Sequence, residues 1–228
     1  MIEMDVHAGH RERMRSRFLE TELDGFDDIN ALELLLMYAI TRKDTNPLAH
    51  ALLDRFGSFK DVMEASVDDL MTVKGIGVNA AILIRLTGQL CKRYLMSKRK
   101  AGVRLDGPEQ VFEYVMPLFS FEATERLFLI CLDTENRVLD CSEISKGSVD
   151  SVYGNPRQII TIAAQRHASK IILAHNHPSG MLVPSEHDMA YTNELQQALL
   201  TFQIQLSDHV IVGDGECLSM RQHGCIAY

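Results

Sequence analysis

Two histidines one residue apart, His175 and His177, are followed after seven residues by Ser185, and three positions later by Asp188, in the run AHNHPSGMLVPSEHD. Imidazole nitrogens and a carboxylate oxygen can share one divalent ion. Two His and one carboxylate leave a fourth position for water, which is the pattern of a catalytic zinc rather than of a closed thiolate site. The spacing favours sharing. On an extended segment side chains at i and i+2 point the same way, so both rings reach one point. The Pro178-Ser179-Gly180 and Val183-Pro184-Ser185 turns then lead into a helix whose first turn carries Asp188. Taken singly these parts are ordinary, since Ser185-x-x-Asp188 is a helix capping box and H-x-H arises by accident. Their conjunction in a chain with 9 His is rare. His187 faces another side of the helix start. His209, inside a strand, reads as a packed histidine that orients a ligand rather than as a ligand itself.

The wider run, from AHNHPSG through PSEHD to SDHVIVGDG, resembles the RadC family, and its core is similar to the JAMM (MPN+) metalloprotease signature. The resemblance covers nearly the whole chain, because that family also carries an N-terminal helical module with a helix-hairpin-helix. It implies one zinc ion held by His175, His177 and Asp188 with water as fourth ligand, and an upstream glutamate as general base. The matching position is Glu143, in Glu143-Ile144-Ser145-Lys146-Gly147, with Asp140 and Glu135 as rival candidates. The expected reaction is hydrolysis of an amide bond in an unknown protein or peptide, with the Ser185 hydroxyl hydrogen-bonding the oxyanion. The family's bacterial members are labelled DNA repair factors. That gives a second reading of another class, a DNA-binding accessory protein with a structural or vestigial metal site.

A second motif bears on that alternative. Val73-Lys74-Gly75-Ile76-Gly77-Val78-Asn79-Ala80-Ala81 fits the hGhG hairpin, in which two glycines adopt φ > 0 and expose amide N–H groups to a phosphate. Lys74, Gly75, Gly77 and Arg85 are the candidate DNA contacts, with Lys92 and Arg93 nearby and Lys98-Arg99-Lys100 extending the basic supply. Asn79 stands where related hairpins commonly have a basic residue. The expectation is weak, non-specific and strongly salt-dependent DNA binding at most.

The elements that position these motifs follow from pattern. Residues 1–100 read as helical: an arginine-rich arm (Arg11, Arg13, Arg15, Arg17), a helix from Asp28, a second opened by Asn46-Pro47 and ending near Gly57, a short one capped by Ser66, and a long one from Val78 to about Arg99. Residues 101–107 read as a linker. From Pro108 helices alternate with strands: 108–119 helix, 126–133 and 137–145 strands, 156–168 helix, 170–174 strand, 185–200 helix, 208–212 and 217–220 strands. The fold class is therefore α+β with two domains, an all-α helix-hairpin-helix module at 1–100 and a layered α/β JAMM/MPN domain with a deaminase-like mixed sheet at 108–228.

Composition narrows the classes. A length of 228 residues with 46% apolar and 24% charged residues suits one large or two small globular domains. No apolar run approaches the roughly 18 residues of a membrane span. The first residues lack a signal peptide's features, and five Cys without a CxxC pair speak for a reducing compartment, so a soluble cytoplasmic protein is expected. The net charge of -8 falls wholly on residues 101–228, because the first hundred hold 15 basic and 15 acidic residues. A zinc nucleobase deaminase needs HxE with a downstream PCxxC, and the chain has no PCxxC. A two-metal nuclease would want more clustered carboxylates than this stretch supplies.

Overall fold

The computed structural model describes residues 6–97, 102–147 and 154–226. The chain divides into two compact units, Met1–Cys91 and Lys92–Tyr228.

The first unit is helical: α1 (Val6–Thr21), α2 (Asp28–Ala39), α3 (Asn46–Phe56), α4 (Phe59–Glu64), α5 (Val67–Met71) and the start of α6 (Val78–Ser97). Side chains set the boundaries. Asp27 accepts from the Asn30 amide to start α2, Ser58 and Ser66 cap α4 and α5, and Gly57 (φ 93°) ends α3. Leu32 and Leu36 of α2, Leu52 of α3, Leu70 of α5 and Ile84 of α6 are fully buried. The arginine-rich arm is helical and partly committed to packing. Arg11 donates to the carbonyls of Met37 (3.2 Å) and Ile40 (2.7 Å) at the end of α2, and Arg17 stacks over Phe26.

The second unit holds the end of α6, then α7 (Pro108–Phe119), β1 (Glu125–Leu132), β2 (Val138–Gly147), α8 (Pro156–Gln165), β3 (Lys170–Asn176), α9 (Glu186–Leu200), β4 (Gln205–Gly213) and β5 (Glu216–Ser219). The five strands form one mixed sheet in the order β2-β1-β3-β4-β5, antiparallel except for the β3–β4 pair, which α9 connects. Alternation assigns the two faces. Leu127, Leu129, Cys131, Ile171 and Leu173 pack under α8 and α9, whereas Phe128, Ile130, Leu132, Ile172 and Ala174 pack against α7. Burial on both faces explains why β1 and β3 read as unbroken apolar runs. Within the stretch expected as linker, Val103 and Leu105 join this unit. The Leu105 amide donates to Asn136 O (2.9 Å), Val103 O accepts from Val138 (2.9 Å), and the Leu105 side chain is buried among the α7-side residues. Among the described residues no helix is long and apolar enough to cross a membrane.

Candidate metal centre

β3 emerges from the sheet at His175 and Asn176, and His177 follows as the chain leaves the strand. The His177 amide still donates to Val212 O (2.8 Å), so the extended conformation continues one residue beyond the strand and keeps both rings on one side. Their Nε2 atoms stand 2.9 Å apart. Pro178-Ser179-Gly180 then turns, with Gly180 at φ 80° and its amide bonded to His177 O (2.9 Å). α9 begins behind the turn with Ser185 as N-cap. Asp188, buried in its first turn, places Oδ1 2.9 Å from His175 Nε2 and Oδ2 3.6 Å from His177 Nε2.

Hydrogen-bond partners fix the tautomers. Met181 O, which can only accept, lies 2.7 Å from His177 Nδ1, so that nitrogen carries the proton and Nε2 keeps its lone pair. Thr192 donates its one hydroxyl proton to Asp188 O (2.5 Å) and therefore accepts from His209 Nδ1 at 2.6 Å. His209 Nε2 must then accept from His175 Nδ1 at 2.8 Å, which leaves His175 Nε2 bare as well. With both rings neutral, two bare ring nitrogens and a carboxylate face one another. That arrangement repels unless a cation, or a proton in its place, sits at the centre. A four-coordinate ion with bonds of about 2.0–2.1 Å sets its ligand atoms about 3.3 Å apart, and the observed 2.9–3.6 Å separations fit it.

A further carboxylate joins these residues. Glu125, buried at the start of β1, offers an oxygen such that it and the His175 and His177 nitrogens all lie within 4.8 Å of one another. The register explains its place. Leu127 pairs with His175 across antiparallel β1 and β3, so Glu125, two residues earlier, shares the face of His175 and His177. Asn176 holds it there: its Oδ1 accepts from the Arg126 amide (2.9 Å) and its Nδ2 donates to Thr124 O (3.2 Å), gripping the backbone on either side of Glu125.

The electrostatics separate the carboxylates. With a proton in place of the ion, burial would push the Asp188 carboxyl up, but hydrogen bonds to His175 and His177, the His175 charge and the Ser185 hydroxyl together hold it far below the usual range. Burial raises the Glu125 carboxyl despite the nearby His175 and His177. The hydrogen bond to Asp188 raises His177 against the opposing effect of burial. Burial pushes His209 far down, and the neighbouring His175 adds to this, so His209 is neutral.

The structure does not bring Glu143, the expected base, to the histidines. Glu143 pairs with Phe128, whose side chain packs against α7, so it shares the face opposite to that of the histidines. Its carboxylate binds Arg126 (3.0 Å), which in turn meets Glu122, itself paired with buried Lys92. Ser185 is at the site but occupied: Oγ donates to Asp188 Oδ2 (2.6 Å) and accepts from the Asp188 amide (3.0 Å). An oxyanion would receive that proton only when the bond to Asp188 opens.

In the first unit, the hairpin segment differs from expectation in two respects. Gly75 has φ 101°, and a Cβ there would come 2.7 Å from Leu48 Cδ2, so the turn needs glycine. Gly77 does not adopt positive φ. Arg85 donates to the carbonyls of Met63 and Glu64 (both 3.1 Å) at the end of α4, which takes it from the basic surface, while Lys74 remains exposed.

A mixed sheet that delivers an H-x-H from a strand end to an aspartate in the next helix defines a JAB-type domain. Residues 105–225 match the family model described as the RadC-like JAB domain, and the chain belongs to that family. It is 36% identical to a UPF0758 protein of Fusobacterium nucleatum, over 99% of this chain and 100% of that one. It is 35% identical to a UPF0758 protein of Pseudomonas fluorescens over 94% and 96% of the two chains, and 30% identical to one of Cellvibrio japonicus over 93% and 95%.

Proposed function

We propose that the protein is a zinc-dependent amide hydrolase of the JAMM type, a peptidase or isopeptidase. The observation that carries this reading is the convergence of His175 Nε2, His177 Nε2 and Asp188 on one point, with buried Glu125 beside them. Nitrogen and oxygen donors without thiolate suit a zinc that keeps an open position. Bound zinc would supply a water of pKa near about 7 and polarise the scissile carbonyl.

The chain's own groups do the rest. His175, His177 and Asp188 hold the ion, and the His209–Thr192 pair keeps His175 in the tautomer that can bind it. Glu125 serves as general base, in the role first expected of Glu143, since a buried carboxyl with a raised pKa both takes a proton from water and returns it to the leaving amine. Ser185 orients Asp188, and its hydroxyl is the candidate oxyanion donor once it turns from that carboxylate.

The alternative, a DNA-binding accessory protein, draws on Lys74 and the amides around Gly75 and Gly77. Two of the basic side chains it would use, Arg85 and Lys92, are spent on Met63, Glu64 and Glu122. The hydrolase reading is tested by comparing new peptide termini in cells producing the wild type or Asp188→Ala. Termini that depend on Asp188 support it; identical sets in both, with the wild type carrying zinc, contradict it.

A further inference from the structure

A groove of about 730 Å³ opens beside the cluster, lined by Glu125 and His177 and by Ala123, Pro178, Met181 and Val183. Among the described residues of the second unit, Val183 (73%) and Met181 (64%) are the most exposed large apolar side chains. They stand two residues apart on one irregular stretch and line the same groove. Exposed apolar surface concentrated beside a reactive centre marks a binding site. The stretch is also tied to the chemistry, because Met181 O holds His177 Nδ1.

Charge selects among occupants. Among the described residues no Lys or Arg lines the groove, and its acidic lining residue is Glu125. Residues 101–228 carry the whole net charge of -8. Away from the ion, a phosphodiester chain would meet no compensating side-chain cation among the described lining residues, whereas a polypeptide with an uncharged, apolar side chain would cover Met181 and Val183 at no electrostatic penalty.

We infer that this groove selects the substrate: it takes a polypeptide segment carrying an apolar side chain of Leu, Met or Phe size next to the cleaved amide. The inference rests on the hydrolase reading above. It makes Val183 a specificity-determining residue that touches neither the ion nor the base.

The test uses the zinc-loaded full-length protein and a synthetic peptide library varied on both sides of each amide, with cleavage sites read by mass spectrometry. Cleavage is expected next to Leu, Met or Phe, and replacing that residue with Ser or Asp lowers kcat/KM by at least about tenfold, the scale on which an apolar pocket discriminates. Val183→Glu removes the preference while retaining the zinc content of the wild type. In parallel, the zinc-loaded Glu125→Gln protein is equilibrated with the same library. It retains apolar peptides, and the added Val183→Glu change releases them. Cleavage without apolar preference, or retention indifferent to Val183→Glu, overturns the groove assignment and leaves the hydrolase reading standing. Neither cleavage nor retention of any peptide by a protein holding zinc overturns both, and retention of single-stranded DNA in place of peptides contradicts the choice of occupant.

Discussion

His175 Nδ1 and His209 Nε2 stand 2.8 Å apart, and Thr192, whose one hydroxyl proton goes to Asp188 O, settles which ring owns the proton between them. The aspartate whose side chain faces His175 and His177 thus also anchors, through its backbone, the chain of bonds that bares His175 Nε2. His209→Phe removes the acceptor without opening the core widely. Zinc affinity, measured by competition with a chelator, is expected to fall about 10–100-fold with the fold retained, the scale seen when a ligand histidine loses its partner. Unchanged affinity contradicts the tautomer assignment.

Asn176 lies between the two histidines yet serves the neighbouring strand. Asn176→Ala strips partners from the Arg126 N–H and the Thr124 carbonyl, an expected loss of about 1–3 kcal/mol in stability for buried groups left unpaired. Both ring ligands remain, so zinc content stays near that of the wild type while cleavage falls, because the backbone that aims Glu125 is loosened. Equal losses of zinc and cleavage would reduce Asn176 to a purely structural role.

Glu125 makes the metal-free protein pH-sensitive. Burial raises its carboxyl above the ordinary 4.5, with His175 and His177 opposing and Asp188 assisting. The sign follows from linkage: a carboxyl raised on folding favours the folded state while protonated, and that contribution is lost as the pH rises through the folded value. Thermal unfolding in the presence of a chelator is therefore expected to show Glu125→Gln gaining on the wild type from pH 4 towards pH 8. A difference between the two that does not vary with pH contradicts the burial argument.

The turn after His177 leans on the β4–β5 hairpin. A Cβ at Gly213 would fall 2.6 Å from Gly180 O, a backbone atom that cannot swing aside. Gly213→Ala is expected to cost about 1–3 kcal/mol in chemical denaturation, as overpacking does elsewhere, and to weaken zinc binding by shifting the turn that follows His177. A fully stable variant with wild-type zinc affinity would show that the loop has room to spare.

Periodicity and punctuation made most elements legible. The helix at 108–119 matches α7 to the residue, and the apolar runs at 126–133 and 170–174 lie within a residue or two of β1 and β3. The capping pattern was less discriminating. Ser58-x-x-Asp61, Ser66-x-x-Asp69 and Ser185-x-x-Asp188 share one arrangement, and all three cap helices. Only the third aspartate is set against histidines, which is a fact of tertiary packing. Glu143 and Glu125 differ in the same way. Which carboxylate faces the H-x-H depends on strand parity and on the bulge between Leu127 and Phe128, neither of which periodicity reveals. One signal was within reach: an acidic residue at the start of a strand that turns apolar from Leu127 on, as in Glu125-Arg126-Leu127-Phe128, needs a reason to be buried. Arg85 shows the opposite limit, since a basic residue near a hairpin gives no hint that its guanidinium closes another helix.

The shared ion is tested most directly by metal content per chain in protein purified from cells supplied with zinc, wild type against Asp188→Ala. One equivalent in the first and almost none in the second is the expected result. An empty wild type, or the same loading after the carboxylate is removed, would contradict a centre built from His175, His177 and Asp188.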